Sequence, residues 1–385
     1  MTAATLIDLI PPNVFEDLAI ETKVDHQVKK LTGTITFKLI LFSMLDSGKL
    51  SLRVMEKLLV SAKFISFAQM GEVVDCKYNS IRDRICTINA AYFERLFNAV
   101  FLIYNKELKE EKSLSKVDST CVSLAAKLLV YGMRNSKKDN DKRYLKYTVS
   151  LKGSIPSSVK VFTKQSYLSE DKALTELIHE STDLSGNVVV FDRGLQSRGT
   201  FDTFTADGKY FITRSKLNIR YQAVTVNPTT EKPSGCGITI DSDETGYLSS
   251  GKHKNTKHQY RDIKATVEKS GDPICFVTNI VDEDAYQIAG WYKQRWEIEI
   301  FFKFIKQHLN VRHLVSRDEN GVKVMIYMTM ILAILILSYK KLNGIKGFKM
   351  AKLQFEIELE NSIIKTIVLL CGGNPDNAPH LFSSS

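Results

Sequence analysis

What this chain lacks narrows it first. Its six cysteines, Cys76, Cys86, Cys121, Cys236, Cys275 and Cys371, are scattered over 385 residues and never approach CxxC spacing. The seven histidines are equally dispersed. A Cys/His zinc module is therefore excluded, and reduced thiols fit better than a disulfide framework. Met1 to Leu18 has no basic n-region followed by an apolar h-region, so no signal peptide is expected. The most lipid-like run, VMIYMTMILAILIL from Val324 to Leu337, would span only about 21 Å as a helix, short of the roughly 30 Å hydrocarbon layer. A helix apolar all round reads instead as buried in a core. No internal repeat is visible. With 44% apolar and 25% charged residues, the disordered and fibrous classes also fall away.

What is present points to a polyanion. The formal net charge is +10 and the sequence pI about 9.1. A basic surface concentrates phosphates and gains from counterion release, which makes nucleic acid the leading partner class. The length suggests two or three domains.

Residues 1–112 read as helices. Apolar residues recur at helical spacing over Ile35 to Leu45, Leu52 to Phe67 and Ala90 to Leu108. Asp46-Ser47-Gly48 reads as a turn, and Ser51 as the cap of the helix after it. The texture changes at about residue 113. LSKVDSTCVSL, YLKYTVSLKG and SVKVFTKQSY are strand-like. LSEDKALTELIHES reads as a helix with Ser169 as N-cap and Glu170 and Asp171 in its first turn. NVVVFDRG is a continuous apolar run of the kind that forms a central strand. Residues 200–285 contain the strand-like pieces YFITRSKLN, RYQAVTVN, CGITI and ICFVTNIV between polar linkers. Helix returns over 286–340, and 341–385 form a tail with a helical Phe348 to Leu370.

Two carboxylates stand out because each ends or interrupts a buried run: Asp118 in KVDSTCVSL and Asp192 in NVVVFDRG. Such a group costs several kcal/mol of desolvation unless it is paired, hydrogen-bonded or metal-bound. A lone aspartate of this kind can equally cap a turn. The third feature is WYKQRWEIEIFFKFIKQHL, Trp291 to Leu309. At roughly 100° per residue Tyr292, Arg295, Glu299 and Lys306 fall within about 60° of one another on a continuous helix. Trp296 and Lys303 lie close to the same face. Trp291, Ile298, Phe302, Ile305 and Leu309 form an adjacent apolar stripe, and Glu297 is expected on the far side. Taken alone, the polar face is also compatible with a solvated, salt-bridged surface.

Tyr292-x2-Arg295-x3-Glu299-x6-Lys306 resembles the YREK signature of the IS4-type family of bacterial insertion-sequence transposases, of the DDE type. Asp118 in VDST and Asp192 in FDRG stand where that family has its first two catalytic aspartates, and GKYFITRSKLN, Gly208 to Asn218, resembles a stretch found after the second. The resemblance covers roughly residues 112–340, with a weaker likeness in the helical start. It implies an α/β fold: an RNase H-like mixed-sheet core in two parts, 113–199 and 286–340. A β-strand insertion at 200–285 would divide them, and an all-helical DNA-binding region at 1–112 would precede them. Asp118 would lie on the first strand, Asp192 after the fourth and Glu299 on a later helix.

The resemblance also implies chemistry. Asp118, Asp192 and Glu299 would hold two Mg2+ ions, with Mn2+ able to substitute, for hydrolysis of a phosphodiester and strand transfer by the freed 3′-OH. Arg295, Lys306 and Tyr292, with Lys303, would grip phosphates. Trp296 could stack on a base or pack in the core. The partners expected are double-stranded DNA and a second copy of the chain, with no membrane, in the bacterial cytoplasm at the nucleoid. Family members that form a DNA hairpin use an aromatic residue in the insertion. Neither tryptophan lies there, and Tyr221 or Tyr247 would have to serve. The basic run Gly251 to Lys264 could track DNA as a loop, and Lys77 to Asn89 could read it as a helix. A nuclease on the same fold that does not transpose, or an inactive DNA-binding derivative, would share many of these features.

Overall fold

The structure is a computed structural model describing residues 1–46, 50–109, 114–124, 132–134, 143–181, 184, 186–249, 255–309, 315–316 and 318–381. The first part is helical: α1 (Ala3–Ile7), α2 (Pro12–Thr22), α3 (Gly33–Asp46), α4 (Leu52–Leu59), α5 (Ala62–Ala68), α6 (Tyr78–Thr87) and α7 (Ala90–Glu107). Ser51 does cap α4, its hydroxyl accepting from the Val54 N–H. The helix expected over Leu52 to Phe67 is broken in two, because the Ser61 hydroxyl donates to the Leu58 carbonyl and accepts from the Phe64 N–H. One side chain thus satisfies the end of α4 and the start of α5. Most of the turn expected at Asp46-Ser47-Gly48 lies outside the described residues.

One mixed sheet of nine strands carries the rest. Its strands are β1 (Leu114–Leu124), β2 (Arg143–Lys152), β3 (Ile155–Phe162), β4 (Val188–Phe191), β5 (Tyr210–Arg214), β6 (Tyr221–Val226), β7 (Ile238–Leu248), β8 (Tyr260–Val267) and β9 (Pro273–Thr278). The spatial order is β3-β2-β1-β4-β5-β9-β8-β7-β6. β1, β2 and β3 are antiparallel, and β4 and β5 join β1 in parallel. That five-stranded arrangement is the RNase H-like core. β9, β8, β7 and β6 continue the same sheet antiparallel from β5, so the added strands extend the core sheet edge to edge.

Two elements escaped the sequence pattern. β8 takes up Tyr260 to Lys264, the end of the basic run expected to be a loop, while Gly251 to Lys254 lie outside the described residues. A helix, α9 (Arg198–Ala206), lies within the stretch that read as strands and linkers. Helix α8 (Glu170–Glu180) forms as expected, but the Ser169 side chain makes no capping hydrogen bond, and acidic Glu170 and Asp171 fill the first turn.

The helices α10 (Ala285–Lys293), α11 (Trp296–His308), α12 (Glu319–Leu342) and α13 (Phe348–Leu370) complete the chain. α12 is longer than the apolar run that announced it. By length and composition it could cross a membrane, but 94% of its most apolar window is buried inside the protein. The N-terminal helices, α13, the apolar face of α11 and one face of β2–β3 share its apolar cluster. At about 1.5–3 kcal/mol for each large apolar side chain buried, α12 is the organising element of that half of the molecule.

Candidate active site

Strand β1 offers alternate side chains to α11, as a two-residue period requires. Lys116 donates to Glu297 at 2.9 Å, Arg295 Nη1 lies 3.7 Å from Asp118 Oδ2, and Lys306 donates to the Thr120 hydroxyl. Three consecutive positions on one face of the strand are therefore each fastened to the same helix. Asp192 follows directly on β4, the parallel neighbour of β1. The loop that carries it is tied down by Asp171, whose Oδ1 accepts the N–H groups of Gln196 at 2.9 Å and Ser197 at 3.3 Å.

Tyr292 and Arg295 close the group. The Tyr292 hydroxyl donates to Asp192 Oδ1 at 3.1 Å, and Arg295 Nη2 donates to Glu299 Oε1 at 2.5 Å. Asp118, Asp192, Glu299, Tyr292 and Arg295 thus lie in one network, with Lys306 beside it on Thr120. Burial pushes the Asp118 carboxyl up to about 6, despite the Ser119 N–H and Arg295 that oppose it, and Glu170 and Asp192 add to the rise. Burial, reinforced by Asp192, also holds the Tyr292 phenol well above its ordinary value, so it remains a proton donor to Asp192.

The continuous helix expected over Trp291 to Leu309 is interrupted. Gln294, Arg295, Glu297 and Ile298 bond to carbonyls three residues back, and this tightened turn separates α10 from α11. The two helices dock on different cores. Tyr292 packs with Val190, Ile212 and Phe276, whereas Ile298, Phe302, Ile305 and Leu309 join the cluster around α12. The break lets one segment serve both, and it places Arg295 at the corner between the strand ends. Glu299 is beside the arginine as expected. Glu297, expected on the far side, instead reaches Lys116, although it stays half exposed.

Trp296 and Lys303 are not part of the network. Trp296 is 59% exposed, which removes core packing as the reason for it, and Lys303 is exposed on α11. Tyr221 is committed within the sheet, donating to the carbonyls of Glu244 and Tyr260 at 2.9 Å.

Several residues around the site were missed in the sequence. Lys116 is buried and also donates to the Gly153 carbonyl at 2.7 Å. Glu170, known from the sequence only as a residue of a helix start, accepts from buried Lys146 at 2.9 Å and raises Asp118. Arg214 ends β5, one step beyond the Phe191–Thr213 register pair. Alternation in β1 could have flagged Lys116; only the packing of α8 on the Asp192 loop reveals Glu170. That packing also explains the glycine of FDRG. A Cβ on Gly194 would lie 2.9 Å from the Glu170 Cβ. Gly194→Ala is expected to lose roughly 1–3 kcal/mol as the loop and α8 separate, measured by urea unfolding. An unchanged midpoint would mean the contact relaxes freely.

The carboxylate oxygens are the donors a hard divalent cation selects. Among the described residues, however, no three acidic, histidine or cysteine side chains converge to hold an ion. The positive charge among the three is the guanidinium of Arg295.

A profile of the family described as Transposase DDE domain matches residues 110–336, more than half of the chain. Three curated proteins are similar. The putative transposase y4zB of Sinorhizobium fredii is 32% identical over 162 residues, 42% of this chain and 45% of that one. The probable transposase for insertion sequence element IS5377 of Geobacillus stearothermophilus is 27% identical over 232 residues, 60% of this chain and 58% of its own. The putative transposase for insertion sequence element IS4SA of Synechocystis is 26% identical over 306 residues, 71% and 80% of the two chains. The chain spans about half the length of the first two. Among solved structures, a piggyBac transposase synaptic complex with hairpin DNA superposes with a TM-score of 0.46 at 10% identity, covering 99% of this chain and 84% of that one. On the match over residues 110–336, this chain belongs to the family of proteins built on the transposase DDE domain.

Proposed function

We propose that this chain is the DNA transposase of a bacterial insertion sequence of the IS4 type, cutting the ends of its element and joining them to a target. The observation that carries the reading is that Arg295 links Asp118, on β1, to Glu299, on α11, while Tyr292 beside it donates to Asp192 at the end of the neighbouring parallel strand β4. Membership of the DDE family implies dependence on a divalent metal. Asp118, Asp192 and Glu299 would hold it, as two Mg2+ ions or Mn2+ in their place. Bound there, the metal supplies an activated water and a stabilised leaving oxygen.

The chain's own side chains do the rest. Arg295 presents a planar, two-pronged donor suited to a phosphate, Lys306 a point charge and Tyr292 a single hydroxyl donor. Lys303 extends the basic face along α11. Trp296 offers an exposed aromatic surface beside Arg295 on which an unpaired base can stack. These contacts align the scissile phosphate and carry little sequence information. End recognition falls to the helices of residues 1–112, with α6 a candidate because it is short, polar and bears Arg82 and Arg84 near Lys77. Arg84 is largely buried, donating to the carbonyls of Leu31 and Val24 at 2.8 Å, whereas Lys77 and Arg82 are exposed and paired only at the surface, with Glu56 and Asp83, so they are the better contacts. Two copies would pair the two ends, in the bacterial cytoplasm alongside the nucleoid.

The test is cleavage of end-labelled DNA carrying the sequences that flank the coding region, with and without Mg2+. Metal-dependent cuts at the element boundary, followed by joining of the cut end to a second duplex, are expected. Cuts without joining would make the protein a nuclease of the same fold. Binding without cuts would make it an inactive derivative.

A further inference from the structure

The two residues best suited to grip DNA are both turned onto the carboxylates. Arg295 is buried, with Nη2 2.5 Å from Glu299 and Nη1 3.7 Å from Asp118, while the Tyr292 hydroxyl lies 3.1 Å from Asp192. Each carboxylate expected to hold a cation is therefore engaged by a residue expected to hold a phosphate. Arg295 cannot do both at once. Its five N–H groups point in fixed directions, and a guanidinium bonded to Glu299 Oε1 at 2.5 Å, with its charge 3.7 Å from Asp118 Oδ2, stands where an ion shared by the two carboxylates would sit. A second positive charge arriving there would also meet it at short range, beside an arginine side chain that is only 10% exposed.

A DNA phosphate changes this balance. It offers Arg295 a bidentate anionic partner in place of the carboxylates. Glu299 sits in the first turn of α11, one helical turn from Arg295, so the arginine can leave it and Asp118 by side-chain rotation without moving the helix. Lys116 holds Glu297 in the same turn at 2.9 Å, which keeps the start of α11 on β1 while Arg295 moves.

We propose that Arg295 is a latch coupling DNA to metal: in the free protein it closes the carboxylate site, and a bound DNA end withdraws it, so that the divalent ion binds well only when DNA is in place. This rests on the reading of Asp118, Asp192 and Glu299 as the metal ligands. Linkage makes the effect reciprocal, since whatever factor DNA adds to metal affinity, metal must add to DNA affinity. The latch would keep the protein from loading an ion, and from cutting, before an end is aligned.

The measurement is binding of Mn2+ to the full chain by electron paramagnetic resonance of the free ion. It is made with and without a short duplex ending at the element boundary, its 3′ terminus dideoxy so that nothing reacts, and with the duplex alone subtracted. For the natural chain, the duplex is expected to tighten Mn2+ about tenfold or more, within the usual range of coupling between sites. Arg295→Gln should bind Mn2+ at the tighter level without DNA and gain little from the duplex. Equal affinity of the natural chain with and without duplex overturns the latch. So does an equal gain in Arg295→Gln, because the phosphate would then be acting as a ligand in its own right. Asp118→Asn separates the two levels of the argument. If it weakens Mn2+ binding while the duplex has no effect, only the latch fails. If it leaves Mn2+ binding unchanged, the ligand assignment fails and the latch goes with it. The comparison of the natural chain with and without duplex needs no variant, so a misfolded Arg295→Gln cannot hide the answer.

Discussion

Asp118→Ala, Asp192→Ala and Glu299→Ala are each expected to lower metal-dependent cleavage by about 10³-fold or more, with affinity for end DNA, measured without metal, within a few-fold of the natural chain. Loss of one metal ligand removes several kcal/mol of charge stabilisation at the transition state, and each 1.36 kcal/mol is about a factor of ten in rate. DNA affinity, by contrast, comes from cationic contacts to phosphates, and removing a carboxylate takes none of these away. Cleavage and binding should be measured on the same samples at one stated salt concentration. Three variants that cut as well as the natural chain would sink the assignment of the site.

The Asp118 position carries a second expectation that does not involve activity. Its carboxyl is raised from an ordinary value near 3.8 to about 6 by burial. A carboxyl raised in the fold contributes most stability when protonated, below its unfolded value, and loses that contribution as pH rises through about 6. At neutral pH the ionised group therefore destabilises the metal-free protein. Asp118→Asn, which is neutral at every pH, should stabilise it by roughly 1–3 kcal/mol above about pH 6 and by little below pH 4. Urea unfolding at both pH values checks the sign. The inactive variant being the more stable one is the mark of a residue kept for chemistry.

The second large effect lies away from the site. Arg261 on β8 forms a bidentate pair with Asp243 on β7, and both side chains are buried. The remaining Arg261 nitrogen donates to the carbonyls of Ile280, at 3.3 Å, and Glu283, at 2.5 Å. These residues form the loop that leads into Asp284, the cap of α10. The added strands thus hold the segment that launches the Tyr292 helix. Arg261→Met should cost about 3–5 kcal/mol, because it leaves Asp243 charged, buried and unpaired. The double variant Arg261→Met, Asp243→Leu should recover most of that loss, although the loop carbonyls stay unsatisfied. If the single variant unfolds within 1 kcal/mol of the natural chain, on the roughly ±10–15% uncertainty of such extrapolations, water has replaced the arginine and the clamp is not needed. Metal-independent DNA binding should persist in both variants.

How much could be read in advance depended on the distance over which each feature is encoded. Apolar spacing placed α3, α7, α11 and α12, and the cap at Ser51 is local chemistry, whereas the Asp284 cap was seen only in the structure. The strands β1, β2, β3, β4, β5 and β9 announced themselves by runs of β-branched and apolar residues. β8 did not, because YRDIKATV carries a buried arginine and aspartate whose cost is met only by partners on other elements. The break between α10 and α11 was invisible for a related reason. Periodicity reports that a helix has an apolar face, but not that two stretches of it face two different cores.

For the site the same division holds. Sequence by itself determined the basic character, the candidate carboxylates and the shared face of Arg295, Glu299 and Lys306, since charge is additive and helical neighbours are set by a fixed rotation per residue, whereas Tyr292 joins them from beyond the helix break through Asp192. Only the tertiary structure decided that Arg295 stands among the carboxylates, that Trp296 faces outward, that Glu297 turns to Lys116, and that Glu170 and Gly194 shape the Asp192 loop. Those are contacts between residues tens to hundreds of positions apart in the chain, and they exist only once β1, β4 and the two helices have been packed against one another.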